Sequence, residues 1–280
     1  MDIQRKYRYA TALTIAGSDS SGGAGIQADL KTFSALGVYG MSAITSITAQ
    51  NTLGVRGIQP ISSEILRGQL NAVFEDSIID AVKTGMLHNK EAVEIVAETI
   101  DCFKPAFVVV DPVMVSTSGS KLIEDVAIEA IISMLFSRSS LITPNIDEAE
   151  LLTGMKIRDI NDMSRAAYKL MDMGCHAVLM KGGHLEGEDM TDMLFLPETE
   201  PLSFSSAKIS TKNTHGTGCT FSSAIAAYVA LGYPMGKAVE AAKGYITKAL
   251  LNGANVQEGH GYGPLNHLFD PQPIKKIALD

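Results

Sequence analysis

The chain has 280 residues, of which 46% are hydrophobic and 19% charged, which is enough apolar material for one domain over residues 1–280 with a large core. Its 23 basic and 31 acidic residues give a net charge of −8, and no dense Lys and Arg run is interleaved with aromatic residues, so we expect no nucleic-acid partner. No apolar stretch approaches the ~20 residues of a membrane span, so we expect no membrane partner either.

Short β-branched runs alternate with helical patterns along most of the chain. The first apolar run is short and contains Thr11 and Thr14, so it indicates a β-strand and not a signal peptide. The predicted strands are Ala12–Ala16, Ser42–Thr48, Ile78–Val82, Phe107–Val110, Leu141–Thr143 and Ala177–Met180, and the predicted helices are Gly25–Leu36, Ser63–Phe74, Glu91–Cys102 and Ala166–Met173. Several strands are apolar on both faces, which is typical of a parallel sheet covered by helices, an α/β sandwich.

The pattern changes towards the C-terminus. Met190–Leu196 and Leu202–Ile209 predict a hairpin, and two helices follow over Thr217–Leu231 and Met235–Leu251. Open parallel sheets bind ligands beyond the carboxyl ends of their strands. The polar loops at those ends are therefore the candidate site.

The segment N-T-H-G-T-G-C-T, Asn213–Thr220, sets a small-residue turn against the start of an apolar helix. Gly216, Thr217, Gly218 and Cys219 would present backbone N–H groups at the positive end of the helix dipole, where a phosphate can accept them. The alternative is an ordinary helix start with a buried cysteine. The turn predicts an anion site only in combination with the rest of the chain.

A polar turn, G-S-D-S-S-G-G-A-G, follows the first predicted strand over Gly17–Gly25. It does not match G-x-G-x-x-G, which disfavours a dinucleotide-binding fold. Asp29 lies one turn into the next helix, near enough to reach a ligand in the loop. From periodicity alone, a solvated helix carboxylate is the favoured interpretation of Asp29.

Further polar residues follow the other predicted strands. Gln50, in T-A-Q-N-T, offers an acceptor and a donor side by side, which fits a heterocycle with an amino group beside a ring nitrogen. Asp111 stands at a strand end, where it suits a metal or phosphate network. The loop Ser116–Ser120 resembles a flap, with Lys121 as a candidate phosphate partner, or else is an unconstrained surface loop.

Asn145 and Glu148 stand three residues apart at a predicted helix start. The spacing N-x-x-E is explained by a capping box alone, and as a metal site it suits Mg²⁺, which keeps most of its waters. Lys181 begins K-G-G-H after another strand and offers a cation beside flexible backbone. His88, His184 and His215 share no metal-ligand spacing and are interpreted as polar loop residues. Cys102, Cys175 and Cys219 lack C-x-x-C pairing, which favours a reducing cytoplasm.

The chain resembles the hydroxymethylpyrimidine and phosphomethylpyrimidine kinases of thiamine biosynthesis in motifs that occur in this order: A-G-S-D-S-S-G-G-A-G-I-Q-A-D, T-A-Q-N-T, K-T-G-M-L, D-P-V-M, T-P-N-x-x-E, K-G-G-H and H-G-T-G-C-T. The resemblance runs from about Leu13 to about Leu250. It implies a ribokinase-like three-layer α/β/α sandwich with a central, mostly parallel sheet. It also implies phosphorylation of 4-amino-5-hydroxymethyl-2-methylpyrimidine and then of its monophosphate, with ATP and Mg²⁺ as cofactors.

The resemblance also implies roles for the substrate residues. By this likeness Gln50 hydrogen-bonds the aminopyrimidine ring, Asp29 orients the substrate, and Gly17 and Met86 line the pocket. Cys219 stands where sugar kinases of the superfamily place an aspartate base, at the end of an anion hole for the transferring phosphoryl group. Because a thiol at a helix N-terminus has its pKa lowered from about 8.5, we expect its thiolate to take the hydroxyl proton.

The nucleotide side follows from the same likeness. Asn145 and Glu148 would act on Mg²⁺ through water, Asp111 and Lys181 would surround the nucleotide phosphates, and Lys243 is a candidate adenine contact. The family commonly forms dimers, so a homodimer is implied, with the strands near residues 190–209 as a candidate interface.

Three alternatives stay open at this point. Some bacterial members of the family phosphorylate pyridoxal, and Gln50 is the discriminating residue, because the pyridoxal-preferring relatives tend to replace it. A non-catalytic pyrimidine- or nucleotide-binding module is a second alternative, against which Cys219, Asn145 and Glu148 together argue. A cysteine hydrolase using His215 and Cys219 is the third, and it lacks an apparent partner to orient the imidazole.

Overall fold

The strands begin where β-branched residues are bounded by turns, as the sequence predicts. In the computed structural model, residues 6–183 and 189–279 are described, and their strands are β1 (Tyr7–Tyr9), β2 (Thr11–Asp19), β3 (Tyr39–Asn51), β4 (Gly54–Pro60), β5 (Ala81–Thr84), β6 (Val108–Val110), β7 (Leu141–Ile142), β8 (Val178–Met180), β9 (Asp189–Phe195), β10 (Leu202–Ala207) and β11 (Lys276–Ala278). Thr and Ile recur in β2 and β3, the two longest strands, which suits a pleated, partly buried surface.

The helices occupy most of the segments between these strands. They are α1 (Gly25–Ala35), α2 (Ser63–Asp76), α3 (Lys90–Phe103), α4 (Asp125–Ala130), α5 (Ile146–Thr153), α6 (Ile160–Asp172), α7 (Thr217–Ala230) and α8 (Met235–Gly253). The α4 helix continues through a π turn and a 3-10 turn to Arg138. Side chains of Ser62, Asn89, Asn145 and Asp159 accept backbone N–H bonds at the starts of α2, α3, α5 and α6.

Within the described residues, nine strands form one sheet in the order β10-β9-β8-β7-β6-β5-β2-β3-β4. Strands β3, β2, β5, β6, β7 and β8 are parallel, while β4 and the β9–β10 hairpin pair antiparallel at the two edges. The chain order reverses at β2, because β3 lies on one side of it and β5 on the other. Such a reversal leaves a crevice beyond the carboxyl ends of the strands.

Two apolar layers cover the sheet. Helices α2 to α6 pack on one face through residues such as Leu70, Val96 and Met163, and α1, α7 and α8 pack on the other through Phe33, Phe221 and others. The α/β/α sandwich predicted by the resemblance is confirmed. None of the helices described here is long and apolar enough to cross a bilayer.

The predicted strands and helices overlap those observed, with one strand displaced. The prediction Ile78–Val82 is wrong at its start, since Ile78 is exposed and the strand runs over Ala81–Thr84. Because Lys83 is charged, this strand has no continuous apolar run, and an apolar pattern does not reveal it. Strands β1, β4 and β11 and helix α4 were not predicted; β4 carries Gly and Pro at an edge, where no second apolar face is required.

Candidate active site

A cavity of about 640 Å³ opens at the carboxyl edge of the sheet. Its walls come from the ends of successive parallel strands: Gly17 and Asp19 from β2, Gln50 from β3, Lys83 from β5, Asp111 after β6 and Lys181 after β8. The start of α7 closes one side. The location agrees with the polar loops that the sequence singled out.

The turn before α7 presents the groups that bind an anion. Gly216 is the N-cap residue with φ 84°, a conformation that favours glycine. In the described part of the chain, the N–H groups of Gly218 and Cys219 have no backbone acceptor. The ammonium of Lys181 lies 3.4 Å from the position of a β-carbon built on Gly218. Free N–H groups, the helix dipole and a cation therefore converge on one point of the cavity.

The first loop packs against this turn so closely that only glycine fits. A β-carbon on Gly216 would overlap the carbonyl oxygen of Gly23, and one on Gly25 would overlap that of Gly17. The start of α1 at Gly25 thereby reaches Cys219, whose sulfur faces the Gly25 N–H. The Cys219 thiol lies between the N-termini of two helices.

Despite this position, Cys219 is not acidified. Burial raises the pKa of its thiol to about 11, and the nearby ammonium of Lys83 offsets only part of that rise. The prediction of a lowered pKa is therefore wrong for the protein without ligands, because the helix ends do not compensate for the loss of hydration. Nor does a hydrogen bond link the His215 ring to Cys219 in the described residues, which removes the basis for the cysteine hydrolase.

Asp29 does not lie on the cavity wall. It has no exposed surface, and its carboxylate accepts bonds from Lys83 Nζ at 2.9 Å to both oxygens, from Thr14 Oγ at 2.6 Å and from Ser223 Oγ at 2.5 Å. The expectations that Asp29 is a solvated carboxylate or a direct substrate contact both need correction. Its negative charge pairs with the ammonium of Lys83, which does line the cavity.

Lys83 was missed by the sequence reasoning. Burial alone would lower the pKa of its ammonium, but the carboxylates of Asp29 and Asp111 and the Cys219 sulfur raise it above its ordinary value. Lys83 is therefore a permanent positive charge at the base of the cavity. A lysine inside an otherwise apolar strand is the signal that could have identified it.

One wall of the cavity presents Gln50, Gly17 and Met86, as the resemblance implies. Gln50 Oε1 lies 3.1 Å from Thr48 Oγ, and its backbone N–H and C=O both bond to Ser20 Oγ, at 2.9 and 2.7 Å. A β-carbon on Gly17 would lie 2.5 Å from Met86 Cε, so these two residues touch. Because residue 17 is glycine, the Met86 side chain packs directly against the backbone at this wall of the cavity.

Asp19 and His215 join the first loop to the anion turn; neither was a candidate for the kinase site, and His215 was named only as the partner of Cys219 in the hydrolase alternative. The His215 ring, interpreted as polar loop, is 6% exposed, and its Nε2 lies 2.8 Å from Asp19 Oδ2. Burial would raise the pKa of Asp19, but bonds from His215, Ser21 and backbone N–H groups lower it to about 2. Asp19 supplies the orienting partner that the sequence did not reveal.

Asp111, Lys181 and Glu148 form a charged cluster in the same cavity. Lys181 Nζ lies 3.0 Å from Asp111 Oδ1 and 3.9 Å from Glu148 Oε2. Burial would raise the pKa of Asp111, but Lys181 and Lys83 hold it below its ordinary value; burial raises that of Glu148 to about 7. The capping box of Asn145 and Glu148 is confirmed, with both reciprocal bonds at 2.8 Å.

Lys243 is held on the cavity wall by other protein groups. Its Nζ bonds to Asp192 Oδ2 at 2.7 Å and to the carbonyl of Met190 at 3.1 Å. Asp192 also accepts the N–H of Gly182 at 3.0 Å. This ion pair ties α8 to the β9 strand. His184, in the K-G-G-H motif that begins at Lys181, lies outside the described residues.

The flap predicted at Ser116–Ser120 is a short turn on the cavity rim. Ser116 N–H donates to the Ser120 carbonyl at 2.8 Å, and Ser116, Thr117 and Gly119 line the cavity. Lys121 points away, paired with Asp125 at 2.7 Å on the surface. The alternative that this is an unconstrained surface loop is wrong, and Lys121 is not a lining residue.

The comparisons with known proteins agree with this geometry. A family model described as phosphomethylpyrimidine kinase matches residues 19–266. The hydroxymethylpyrimidine/phosphomethylpyrimidine kinase of Rhizobium meliloti (strain 1021) is 49% identical over 259 residues, which are 92% of this chain and 97% of that protein.

Solved structures point the same way. The crystal structure of phosphomethylpyrimidine kinase from Clostridium difficile 630 has 48% identity and a TM-score of 0.76, covering 86% of this chain and 99% of that one. Pyridoxal kinase from Staphylococcus aureus, in complex with AMP-PCP and pyridoxal, has 33% identity and a TM-score of 0.86, covering 97% and 100%. With this coverage and identity, the chain belongs to the phosphomethylpyrimidine kinase family.

Proposed function

We propose that the cavity holds an aminopyrimidine alcohol at the Gln50 wall while ATP delivers its γ-phosphoryl group across the turn before α7. One observation carries this proposal. The same cavity is lined by a carboxamide that can hydrogen-bond the edge of a ring and by an anion-binding turn with a lysine beside it. The reaction is phosphorylation of 4-amino-5-hydroxymethyl-2-methylpyrimidine, followed by phosphorylation of the monophosphate. Both steps fit the family to which the chain belongs.

The ring end of the site consists of Gln50, Gly17 and Met86. The Gln50 amide supplies an acceptor for an amino group and a donor for the adjacent ring nitrogen. The ring itself lies against the wall that Gly17 and Met86 form, where apolar contact needs no further hydrogen bond. Asp29 contributes indirectly, by holding Lys83 charged at the base of the cavity.

At the reacting end, the residues Gly216, Thr217, Gly218 and Cys219 stabilise the transferring phosphoryl group. The free N–H groups of Gly218 and Cys219, together with Lys181, place positive potential where the negative charge of the transfer is concentrated, whereas the N–H of Thr217 donates to the Thr214 carbonyl at 3.2 Å. Cys219 is the proposed base for the substrate hydroxyl. Because its thiol has a pKa of about 11, only a small fraction is thiolate at neutral pH, and binding of substrate and nucleotide must favour that form.

The nucleotide side fits ATP with Mg²⁺. Within the described residues, no three His, Cys, Asp or Glu side chains are placed to hold a metal by themselves. Asp111, Asn145 and Glu148 instead offer oxygen atoms beside Lys181, which suits an ion that takes most of its ligands from water and ATP. Mg²⁺ would neutralise phosphate charge there. We place the adenine against α8, where Ile246 and Leu250 line the cavity beside Lys243.

The assembly and location are part of the same proposal. We propose that residues 1–280 act as one domain and that the protein is a homodimer. Strand β10 is the last strand at its edge of the sheet, and Leu202 there is 44% exposed, which leaves that edge available for pairing. Three unpaired cysteines, including the proposed base, suit a reducing cytoplasm. The molar mass measured by light scattering during size-exclusion chromatography tests whether the protein is a dimer.

Product analysis tests the reaction. Purified protein is incubated with MgATP and, in parallel, with the hydroxymethylpyrimidine, its monophosphate and pyridoxal, and the products are identified by mass spectrometry. We expect conversion of the first to the monophosphate and then to the diphosphate. A reaction with pyridoxal alone, or none at all, would contradict the proposal.

Pyridoxal kinase remains a second candidate activity. The pyridoxal kinases among the solved structures superpose with TM-scores of 0.84 to 0.86, although at 39% identity or less. The same product analysis with pyridoxal decides whether both rings are accepted.

A further inference from the structure

The carboxamide of Gln50 is fixed at both ends and through its backbone. Ser20 Oγ holds its backbone N–H and C=O, while Thr48 Oγ and His215 Nε2 lie 3.1 and 3.4 Å from the two terminal atoms of the side chain. The β3–β4 ladder shifts register between Ala49 and Gln50, an irregularity of the kind that redirects a side chain beside a site. Its position is therefore set by the protein before any substrate binds.

Asp19 decides which atom of His215 carries a hydrogen. The Asp19 carboxylate is ionised, since its pKa is about 2, and it can only accept. The His215 Nε2 atom at 2.8 Å must therefore donate to it. The same Nε2 cannot then accept a bond from the Gln50 amide.

This constraint fixes the orientation of the amide. Two N–H groups facing each other would repel, so the amide atom 3.4 Å from His215 Nε2 is the oxygen, which receives the long arm of a three-centre bond from the single Nε2 hydrogen, and the atom near Thr48 is the nitrogen. Thr48 Oγ already donates to the Ser18 carbonyl at 3.0 Å, so it has a lone pair free to accept from the amide nitrogen. With that assignment, every donor in the chain Asp19–His215–Gln50–Thr48–Ser18 meets an acceptor.

The ring of His215 is itself locked in place. Its backbone N–H donates to the Gly263 carbonyl at 3.1 Å, and a β-carbon on Gly23 would overlap the ring at Cδ2. The ring therefore stacks on a backbone that tolerates only glycine. It is 6% exposed and lines the cavity.

We propose that His215, held by Asp19, is a positioning residue that fixes the direction of the Gln50 amide and so makes the cavity selective for a ring with an amino group beside a ring nitrogen. One lone pair of the amide oxygen and one hydrogen of the amide nitrogen remain for the substrate. Their order along the wall matches an amino donor and a ring acceptor in one direction only. The inference rests on the proposed role of Gln50 as the ring reader.

The test compares two substrates that differ only in the amino group: 4-amino-5-hydroxymethyl-2-methylpyrimidine and 5-hydroxymethyl-2-methylpyrimidine. With saturating MgATP, kcat and KM are measured for the wild type, His215→Phe and His215→Gln. Phenylalanine keeps the ring without a donor, and glutamine returns a donor near the position of Nε2. A parallel Thr48→Val variant releases the other end of the amide without touching the loop of His215.

We expect His215→Phe to lower kcat/KM for the amino substrate about tenfold or more, mainly through KM, because the amide loses the shared N–H that sets its direction. The analogue without the amino group should lose less, since only its ring nitrogen bonds to the amide. His215→Gln should restore part of the loss, and Thr48→Val should reproduce it. An equal loss for both substrates, or a loss confined to kcat, would overturn the proposal in favour of a purely structural role.

Two further variants separate this inference from the role of Gln50. If Gln50→Met leaves the discrimination between the two substrates intact, the ring-reader role itself is wrong. If Gln50→Met abolishes discrimination while His215→Phe and Thr48→Val preserve it, only the positioning role fails. His88→Gln is the control for loss of a half-buried imidazole outside the site. His88 bonds to the Leu122 carbonyl at 2.7 Å and does not line the cavity.

Discussion

The ammonium of Lys83 lies 2.9 Å from both carboxylate oxygens of Asp29, and neither side chain has any exposed surface. The pair joins β5 to α1 across the carboxyl edge of the sheet, beneath the start of α7. A charge pair in such a place is costly to desolvate, and removal of one partner leaves the other uncompensated.

Lys83→Met should therefore lower the free energy of unfolding by about 3–5 kcal/mol. The combined variant Lys83→Met with Asp29→Asn should recover part of that loss, because no unpaired charge remains. Urea unfolding of the three proteins measures both effects. Arg67→Ala is the control: Arg67 pairs with Glu98 on the surface, with side chains 50% and 56% exposed, so a change of about 0–1 kcal/mol is expected. A similar small change for Lys83→Met would show that the buried pair is not coupled.

The decline in the free energy of unfolding at low pH should depend on Asp19. Its pKa of about 2 in the folded protein lies below the unfolded value of about 3.9, so its stabilising effect is complete above about pH 5 and is lost progressively as the pH falls through 3.9 towards and below 2. The shift corresponds to about 2 kcal/mol. Unfolding free energies of Asp19→Asn measured between pH 6 and pH 2 should show a shallower decline than the wild type.

Glu200→Gln is the control for that experiment, because it removes one negative charge from an exposed turn. Parallel curves for Asp19→Asn and the wild type would mean that the bonds to His215 and the loop N–H groups do not persist in solution.

Alkylation should report the raised pKa of Cys219. In a Cys102→Ser background, which removes the exposed thiol, the rate of modification by iodoacetamide should rise about tenfold per pH unit from pH 7 to pH 10, because only the thiolate reacts. The Cys219→Ala variant identifies the residual reaction of Cys175. A rate that levels off near pH 8 would restore the lowered pKa that the helix N-terminus alone predicts.

Gly216→Ala should damage catalysis and stability together. The residue has φ 84°, and its new β-carbon would overlap the carbonyl oxygen of Gly23. We expect kcat to fall about 100-fold, as when a donor to the transferring group is displaced. Steady-state kinetics and thermal unfolding measure the two effects.

The matched control is Gly244→Ala, on the exposed side of α8, where a β-carbon meets nothing within 4 Å. That variant should keep full activity and gain up to about 1 kcal/mol of stability, because alanine favours the helix. Equal behaviour of the two variants would mean that the turn at residue 216 has no special geometry.

Local pattern was enough for much of the fold and for part of the site. Alternating apolar runs and helix starts depend on neighbours a few residues apart, so most strands and helices were predicted within a few positions of their observed bounds. The capping box at Asn145 and the glycine turn at Gly216 also belong to this class. Gln50, Gly17, Met86, Lys181 and Asp111 were placed by motif, and all of them line the cavity.

Electrostatic environment belongs to a different class. Asp29 meets Lys83 across 54 positions, and Asp19 meets His215 across 196. No local pattern encodes such pairs, because they form only when the sheet brings strand ends together. The error over Cys219 has the same origin, since the helix dipole is a local property whereas the loss of hydration depends on everything packed around the sulfur.

The sequence by itself therefore determined the order of elements, the glycine turns and the motifs at the strand ends, because these depend on short-range backbone and side-chain preferences. The tertiary structure alone decided which charges are buried together, that Asp29 serves Lys83 and not the cavity, and that Asp19 and His215 hold the Gln50 amide. Those outcomes depend on desolvation and on contacts between distant segments, which exist only in the folded chain.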